Sequence, residues 1–322
     1  MLTVYEPAGD ALKARADGEL VDKAIWIDLI EPTEEEERAV EAYLNLDLPT
    51  RAETREIEDS SRLYAENGAH FMTAMVLYNQ DTGQPLGATL TFILTEKTLV
   101  TIRYHKPRAI GLFATRAEKG EVACNSTQAV LVGIVEALIN RSADVIERAQ
   151  DRVEQLSQHI FDTGYDTGSQ TKELSEMLRS IGALGNTAAR LEECAFSLER
   201  LLLYLGAIFK DRKDSKATVA RTKASLRDIR SLTEQLRFLS DRITFLLDAT
   251  LGAINIQQNQ IMKIFSLVAV TLTPPTLIGA IYGMNFKHMP ELEWYWGYPM
   301  CLVLMLASAI IPYLFIRHKG WL

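Results

Sequence analysis

The spacing of apolar residues changes once along this chain, near residue 126. Before that point, short segments rich in β-branched and aromatic residues alternate with turn signals, which predicts strands. The five predicted strands are Leu2–Tyr5, Ala24–Leu29, Ala69–Tyr78, Ala88–Leu94 and Thr98–Tyr104. After it, apolar residues recur at helical spacing, which predicts long helices. The expected fold class is therefore an α/β domain followed by long helices.

Capping and turn residues predict where the elements end. Thr33 with Glu36 three residues later is a capping box, which predicts the start of a helix within the α/β domain. Residues 81–85 are expected to form a turn between strands. Polar segments at 162–168 and 211–214 divide the helical half into three helices, over 126–163, over 170–210 and from about 215 to 283. The short connection between the first two of these helices favours an antiparallel helical hairpin.

Two apolar runs near the end of the sequence are long enough to cross a membrane. Ile264–Phe286 and Trp294–Ile316 each contain 23 uncharged residues, and a membrane helix needs about 20. The predicted organisation is a cytosolic domain over 1–125, a helical stalk over 126–260 and a membrane domain over 261–322. Its spans are placed at about 264–284 and 295–316, joined by a loop over 285–293.

Composition excludes several functions. The net charge of -8 argues against a nucleic-acid partner, because phosphate binding favours a basic surface. Three widely separated cysteines indicate no disulfide framework, and five histidines show no metal-ligand spacing. Residues 1–20 contain no apolar core of the signal-peptide type. No Walker motif, catalytic pair or cofactor loop is present, so neither an enzyme nor a cofactor is expected.

One face of the third helix is unusually polar and small. Its two rows repeat every seven residues: Asp241, Asp248, Asn255, Met262, Ala269, Thr276 and Gly283, and Phe245, Gly252, Asn259, Ser266, Thr273 and Ala280. A coiled-coil seam would carry large apolar residues there. Either this stripe packs against a neighbouring membrane helix, or it lines a water-filled pore. We favour the pore, which requires several copies of the chain.

The pore interpretation assigns a role to each candidate residue of the stripe. The candidate pore-lining residues are Asp248, Asn255, Asn259, Met262, Ser266, Thr273 and Thr276. Asn259, at the membrane entry, is also a candidate metal contact. Met262 and Phe265 either form a hydrophobic gate that closes by dewetting or make ordinary helix contacts. Pro274 and Pro275 predict a kink, which is either a hinge or static.

A short motif follows the first span. It reads Tyr282-Gly283-Met284-Asn285-Phe286, and Met289-Pro290-Glu291-Leu292 follows in the loop. With the two spans around it, this end of the chain resembles the CorA-type magnesium/cobalt transporters, the two-span GMN superfamily. The resemblance is close over Gln257–Leu322. Trp26–Leu29, followed by Pro32-Thr33, is similar to the family in the N-terminal half.

The resemblance implies a site and an assembly. It implies five copies around the pore and a selectivity filter at Gly283, Met284 and Asn285. Asn285 would hold a hydrated Mg²⁺ through the ion's water shell, since Mg²⁺ loses water reluctantly. It also implies a gate near Met262 and closure by intracellular Mg²⁺, which is then both substrate and regulator. Glu291 either gathers cations at the pore mouth or belongs to a plain polar loop.

Charge predicts the orientation in the membrane. Arg317 and Lys319 follow the second span, which places both termini in the cytoplasm and the chain in the inner or plasma membrane as a multi-pass protein. Cytosolic acids are candidate regulatory ligands, although the pattern assigns none of them: Asp228, Asp241, Glu53, Glu56, Glu58 and Asp59. The leading function is passive Mg²⁺ transport, with Co²⁺ or Ni²⁺ as further substrates. The rivals are a zinc transporter of the same superfamily, with or without proton coupling, and a membrane-anchored coiled-coil scaffold.

Overall fold

The computed structural model describes residues 1–9, 11–15, 19–21, 23–56, 62–79, 85–162, 170–211, 216–285, 289–290 and 293–320. The strands are β1 (Leu2–Ala8), β2 (Ala11–Arg15), β3 (Trp26–Ile30), β4 (Leu63–Glu66), β5 (Ala69–Tyr78), β6 (Leu86–Leu94) and β7 (Leu99–Arg103). The helices are α1 (Glu34–Leu44), α2 (Arg51–Glu56), α3 (Arg108–Glu118), α4 (Thr127–Asp162), α5 (Gln170–Asp211), α6 (Lys216–Tyr282) and α7 (Gly297–His318). The predicted fold class, an α/β half followed by long helices and two apolar C-terminal helices, is confirmed.

All five predicted strands are present, and the structure adds β2 and β4, which the sequence pattern did not predict. These two short strands lack β-branched residues and end the sheet on either side. Pairing with a longer neighbour, rather than intrinsic preference, forms them. Most of the predicted turn over 81–85 and of the polar breaks over 162–168 and 211–214 lies outside the described residues.

The strands form one sheet in the order β2-β1-β3-β7-β6-β5-β4. Only β3 and β7 pair in parallel, and the other neighbours are antiparallel. One face packs with Val40 of α1 in an apolar cluster. On the other face, Trp26 stacks on Tyr5 with 4.2 Å between ring centroids and meets Phe113 of α3 edge-on at 5.8 Å. Helices on both faces explain why β7 is buried throughout.

A buried ion pair lies inside this sheet. Asp28 and Arg103 are 2% and 6% exposed. Arg103 donates from Nε to Asp28 Oδ1 at 3.1 Å and from Nη2 to Oδ2 at 2.7 Å. The Thr101 hydroxyl donates to Asp28 Oδ1 at 2.7 Å and accepts from Trp26 Nε1 at 2.9 Å. The bidentate pair and its two supporting bonds hold β3 and β7 in register.

The start of α1 confirms the predicted capping box. The Thr33 hydroxyl accepts from the Glu36 backbone N–H at 3.3 Å, and Glu36 Oε2 accepts from the Thr33 N–H at 3.0 Å. The helix ends at Asn45, whose φ of 53° is left-handed. Both ends therefore follow from residue types that cap helices.

Ion pairs between the three long helices show in which direction each helix runs. Arg221 of α6 donates two bonds to Glu136 of α4, at 2.6 and 3.0 Å, and further along α6 Arg242 pairs with Glu154 at 2.6 Å. The partners follow one another in the same order along both helices, so α4 and α6 run in parallel.

On the other side of α6, Arg230 pairs with Glu199 of α5 at 2.7 Å and Ser240 bonds Glu192 at 3.1 Å. Here the partners follow one another in opposite order along the two helices, so α5 runs antiparallel to α6. It follows that α4 and α5 are antiparallel to each other, as the hairpin prediction requires.

The chain forms two compact units. The first contains the sheet, α1 to α4, most of α5 and α6 up to Leu247; the second contains α6 from Asp248 and α7.

Candidate functional site

α6 beyond Ala253 and the whole of α7 are mostly apolar, and their residues are exposed or at most half-buried. Among the described residues, these are the two helices long and apolar enough to cross a membrane. The most apolar windows of the two helices are 0% and 6% buried. Exposed apolar side chains over this length are typical of helices that cross a bilayer. At Gly279 of α6, an added Cβ would lie 3.2 Å from Met305 Cε of α7, so a small residue permits close packing there.

α6 buries one face and exposes the opposite face. Its buried residues recur at alternating steps of four and three: Thr218, Thr222, Ser225, Ile229, Leu232, Leu236, Leu239, Ile243, Leu246, Thr250 and Ala253. This is coiled-coil spacing. The polar stripe named above lies about half a helical turn away, at 3.6 residues per turn. All 13 residues of the stripe are exposed.

The polar candidates present their side chains in sequence along that exposed face. Asp248, Asn255, Asn259, Ser266 and Thr273 are all exposed. From Asp248 to Thr273 the helix rises by about 38 Å at 1.5 Å per residue, so one helix carries oxygen-bearing side chains from well before the first predicted span to a point inside it.

Thr276 differs from the other polar candidates because its hydroxyl is hydrogen-bonded to the backbone of its own helix. It donates to the carbonyls of Leu272 and Thr273, both at 2.8 Å. Its oxygen still has lone pairs that accept a bond from water. These bonds lie beside Pro274 and Pro275, which lack backbone N–H groups.

The helix is continuous through the two prolines. Within the described part of the chain, the Thr271 hydroxyl is buried without a hydrogen-bond partner. The kink itself stays a prediction.

Met262 and Phe265, the gate candidates, are 65% and 69% exposed. They lie three residues apart on α6, so their side chains are neighbours on the helix surface. A gate would form only where the Met262 and Phe265 side chains of several copies of the chain meet.

The motif residues follow directly on the end of α6. The Gly283 N–H donates to the Gly279 carbonyl at 3.0 Å, and the Met284 N–H donates to Ile281 at 3.2 Å. A Cβ at Gly283 would lie 3.0 Å from the Gly279 carbonyl oxygen, which is backbone and cannot easily move. Local crowding therefore favours glycine at this position. Met284 and Asn285 are exposed.

The connection between the spans is only partly described. Phe286–His288 and Glu291–Leu292 lie outside the described residues, so the structure does not place Glu291. The four aromatic residues at the start of the second span are all exposed: Trp294, Tyr295, Trp296 and Tyr298. Exposed amphipathic rings at a helix end are typical of the membrane–water interface.

The acidic residues named as candidate regulatory ligands do not gather into a metal site within one protomer, as far as the structure describes them. Among the described residues, no group of three or more His, Cys, Asp or Glu side chains is placed to hold a metal ion. Asp228 and Asp241 are exposed on α6. Glu53 Oε2 accepts from the Thr50 N–H and hydroxyl at 2.8 and 2.9 Å, and these bonds lower the pKa of Glu53. Glu58, Asp59 and the side chain of Glu56 lie outside those described.

Sequence reasoning placed Phe245 in the stripe but did not identify the other exposed apolar residues along its two edges. Phe238 and Phe245 are 62% and 59% exposed on one edge, and Leu247 and Leu251 are 37% and 45% exposed on the other. Phe245 stacks on Phe161 of α4, with 6.1 Å between ring centroids. The seven-residue spacing of the two phenylalanines on α6 was the signal available in the sequence.

A sheet-based soluble domain, long helices and two membrane-spanning C-terminal helices define a two-span membrane protein. The chain matches the CorA-like Mg²⁺ transporter protein family over residues 21–318. It is 33% identical over 299 residues to the magnesium transport protein CorA of Escherichia coli (strain K12), which covers 93% of this chain and 92% of that protein. The protein therefore belongs to the CorA-like Mg²⁺ transporter family. Membership in a transporter family confirms that it is not an enzyme.

Solved structures agree in fold. The complete structure of the CorA magnesium transporter from Methanocaldococcus jannaschii has a TM-score of 0.77 at 20% identity and covers 100% of this chain and 99% of that one. The ZntB cytoplasmic domain from Vibrio parahaemolyticus has a TM-score of 0.53 at 10% identity, over 79% of this chain and 97% of that one. At these identities the likeness concerns fold alone.

Proposed function

We propose that this protein is a passive transporter of divalent cations, primarily Mg²⁺, with Co²⁺ or Ni²⁺ as further substrates. The observation that carries the proposal is the exposed polar face of α6, which lies opposite its buried face and leads to Gly283–Asn285. Similarity to the magnesium transport protein of Escherichia coli supports Mg²⁺ as the substrate. The membrane potential supplies about 2.3 kcal/mol per charge per 100 mV.

The pore is formed by a ring of identical chains. One α6 cannot enclose a path, and the two edges of its polar stripe differ, with Phe238 and Phe245 on one side and Leu247 and Leu251 on the other. When the phenylalanine edge of one copy packs on the leucine edge of the next, the contact is heterologous and closes into a ring. Five copies is the number that the CorA-type resemblance implies.

In this ring the ion moves with its water shell. Mg²⁺ releases water reluctantly, so amide and hydroxyl oxygens serve it best by accepting bonds from that shell. Asn285, with Gly283 and Met284, forms the outer filter, and Asn259 makes a second contact at the inner end of the span. Asp248 and Asn255 line the approach from the cytoplasm.

The gate lies at the inner end of the span. Rings of Met262 and Phe265 narrow the path with apolar surface and stop conduction by dewetting. Intracellular Mg²⁺ that binds between neighbouring soluble domains favours the closed state, through its higher affinity for that state. Asp228 and Asp241 are candidate ligands because both are exposed on α6. Millimolar Mg²⁺ is then expected to slow proteolysis of the soluble domain.

Charge sets the orientation. Arg317 and Lys319 at the end of α7 are exposed, and basic residues beside a span remain in the cytoplasm. With two spans, both termini are cytoplasmic, the protein lies in the inner membrane and Asn285 faces outward.

Ion flux in liposomes tests the function. The wild type is expected to carry Mg²⁺, while Asn285→Ala abolishes uptake without dissociating the oligomer. Asn140→Ala, an exposed asparagine of α4, is the matched control and retains uptake. Comparison of Mg²⁺, Co²⁺ and Zn²⁺, each with and without a pH gradient, separates this function from proton-coupled zinc transport. Normal uptake by Asn285→Ala would exclude the filter, and no uptake of any ion by the wild type would favour a scaffold.

A further inference from the structure

Basic side chains collect at one end of the membrane helices. Lys263 lies on α6 and Arg317, His318 and Lys319 lie at the end of α7, and all four are exposed. No acidic residue lies nearby in sequence to compensate them. In the described part of the chain from residue 249 onward, Glu293 is the one acidic residue, and it lies before α7 begins.

The two helices meet at Gly279 and Met305, and half-buried residues mark one face of each helix. Half-buried residues recur at helical spacing on both helices: Leu267, Thr271, Pro274, Ile278 and Tyr282 on α6, and Gly297, Cys301, Met305, Ser308, Pro312 and Ile316 on α7. Lys263 lies one turn before Leu267, on the side of α6 that packs on α7.

Helical rise places these basic groups at one level. Gly279 meets Met305 across the two helices. At 1.5 Å per residue, Lys263 lies about 24 Å from this contact along α6, and Arg317 and Lys319 lie about 18 to 21 Å from it along α7. The return of α7 alongside α6 brings the three cations to the same end of the pair.

The helix dipole explains only part of this cluster. A helix C-terminus favours Arg317 and Lys319, but Lys263 is far from either end of α6. The Lys319 ammonium lies over the Phe315 ring, 5.6 Å from its centroid, which holds the charge beside lipid-facing apolar surface. Phe315 is 58% exposed and Leu314 is 53% exposed.

We propose that Lys263, Arg317 and Lys319 form a binding site for the phosphate group of an anionic membrane lipid. The cations bind the phosphate, and the acyl chains lie on exposed apolar side chains such as Leu314 and Phe315. This adjoining apolar surface identifies a lipid rather than a free anion. The proposal rests on the spans lying in a bilayer and not on ion transport.

The test measures thermal unfolding of the full-length protein in detergent while lipid is added. Phosphatidylglycerol is expected to raise the unfolding midpoint, whereas phosphatidylcholine and inorganic phosphate leave it unchanged. Each of K263Q, R317Q and K319Q should lower the apparent affinity for phosphatidylglycerol about fivefold, since each basic residue near a membrane surface contributes about 1 kcal/mol. R317K/K319R should retain affinity.

Lys223→Gln, at an exposed lysine in the first half of α6, is the control and should bind like the wild type. A well-folded K263Q/R317Q/K319Q variant that binds phosphatidylglycerol as tightly as the wild type would overturn the site. So would an equal effect of phosphatidylcholine, or of phosphate alone.

Discussion

The Asp28–Arg103 pair offers the sharpest test of what holds the soluble domain together. Asp28→Leu leaves the guanidinium of Arg103 inside the sheet, where Arg103 is 6% exposed. The guanidinium then keeps its hydrogen bond to the His105 carbonyl at 3.3 Å. Removal of one partner of a buried ion pair costs about 3–5 kcal/mol. For a unit of this size each kcal/mol lowers the unfolding midpoint by about 2–4 °C, so the expected shift is about 6–20 °C.

The double variant Asp28→Leu/Arg103→Leu distinguishes the pair from simple packing. It removes both charges, while Thr101 keeps its bond from Trp26. Since an apolar replacement of a buried pair is often neutral, the double variant should be more stable than Asp28→Leu alone. Thermal unfolding followed by circular dichroism measures both. A double variant that loses the sum of the two single losses would refute the argument, because coupled partners must be non-additive.

Three further predictions follow from particular contacts. Gly133→Ala would place its Cβ 2.5 Å from Phe113 Cε2 and should lower the free energy of unfolding by about 1–3 kcal/mol. Gly182→Ala, with open space around it, is the control and should be neutral or stabilising. Similar unfolding midpoints for the two variants would contradict this prediction. Burial raises the pKa of Cys194 and of Tyr5 to about 12, so stability should hold up to about pH 9 and fall as pH rises toward 12; a midpoint that rises over this range would contradict the sign. Gly283→Ala should impair uptake because its Cβ presses on the Gly279 carbonyl, and unchanged flux in liposomes would show that the crowding is relieved.

The sequence predicted the parts of the fold that depend on local residue types. Thr33 and Glu36 are a self-contained cap, and the long helices follow from apolar spacing, so both could be read without tertiary information. β2 and β4 could not, because their neighbours in the sheet form them. The Asp28–Arg103 pair was missed for the same reason, since 75 residues separate its members.

The candidate site shows the same division between local pattern and tertiary contact. The polar stripe was visible in the sequence because a helix repeats its face every seven residues, and the structure exposes every residue of it. The filter geometry was not readable, because Asn285 is proposed to act only when several copies meet. Local crowding at Gly283 depends on where the folded backbone places the Gly279 carbonyl, so the sequence pattern could not predict it.

The two faces of α6 explain how one helix can serve both structure and transport. Its buried face, through Leu239, Ile243 and Leu246, holds the helix in its own protomer, while Asp241 and Asp248 remain on the opposite face. Because the two faces share a seven-residue period, neither drifts into the other along the soluble part of the helix. α6 is one helix through Pro274 and Pro275 to Tyr282, so the helix that carries the buried face also carries the residues of the proposed gate and ends beside the proposed filter.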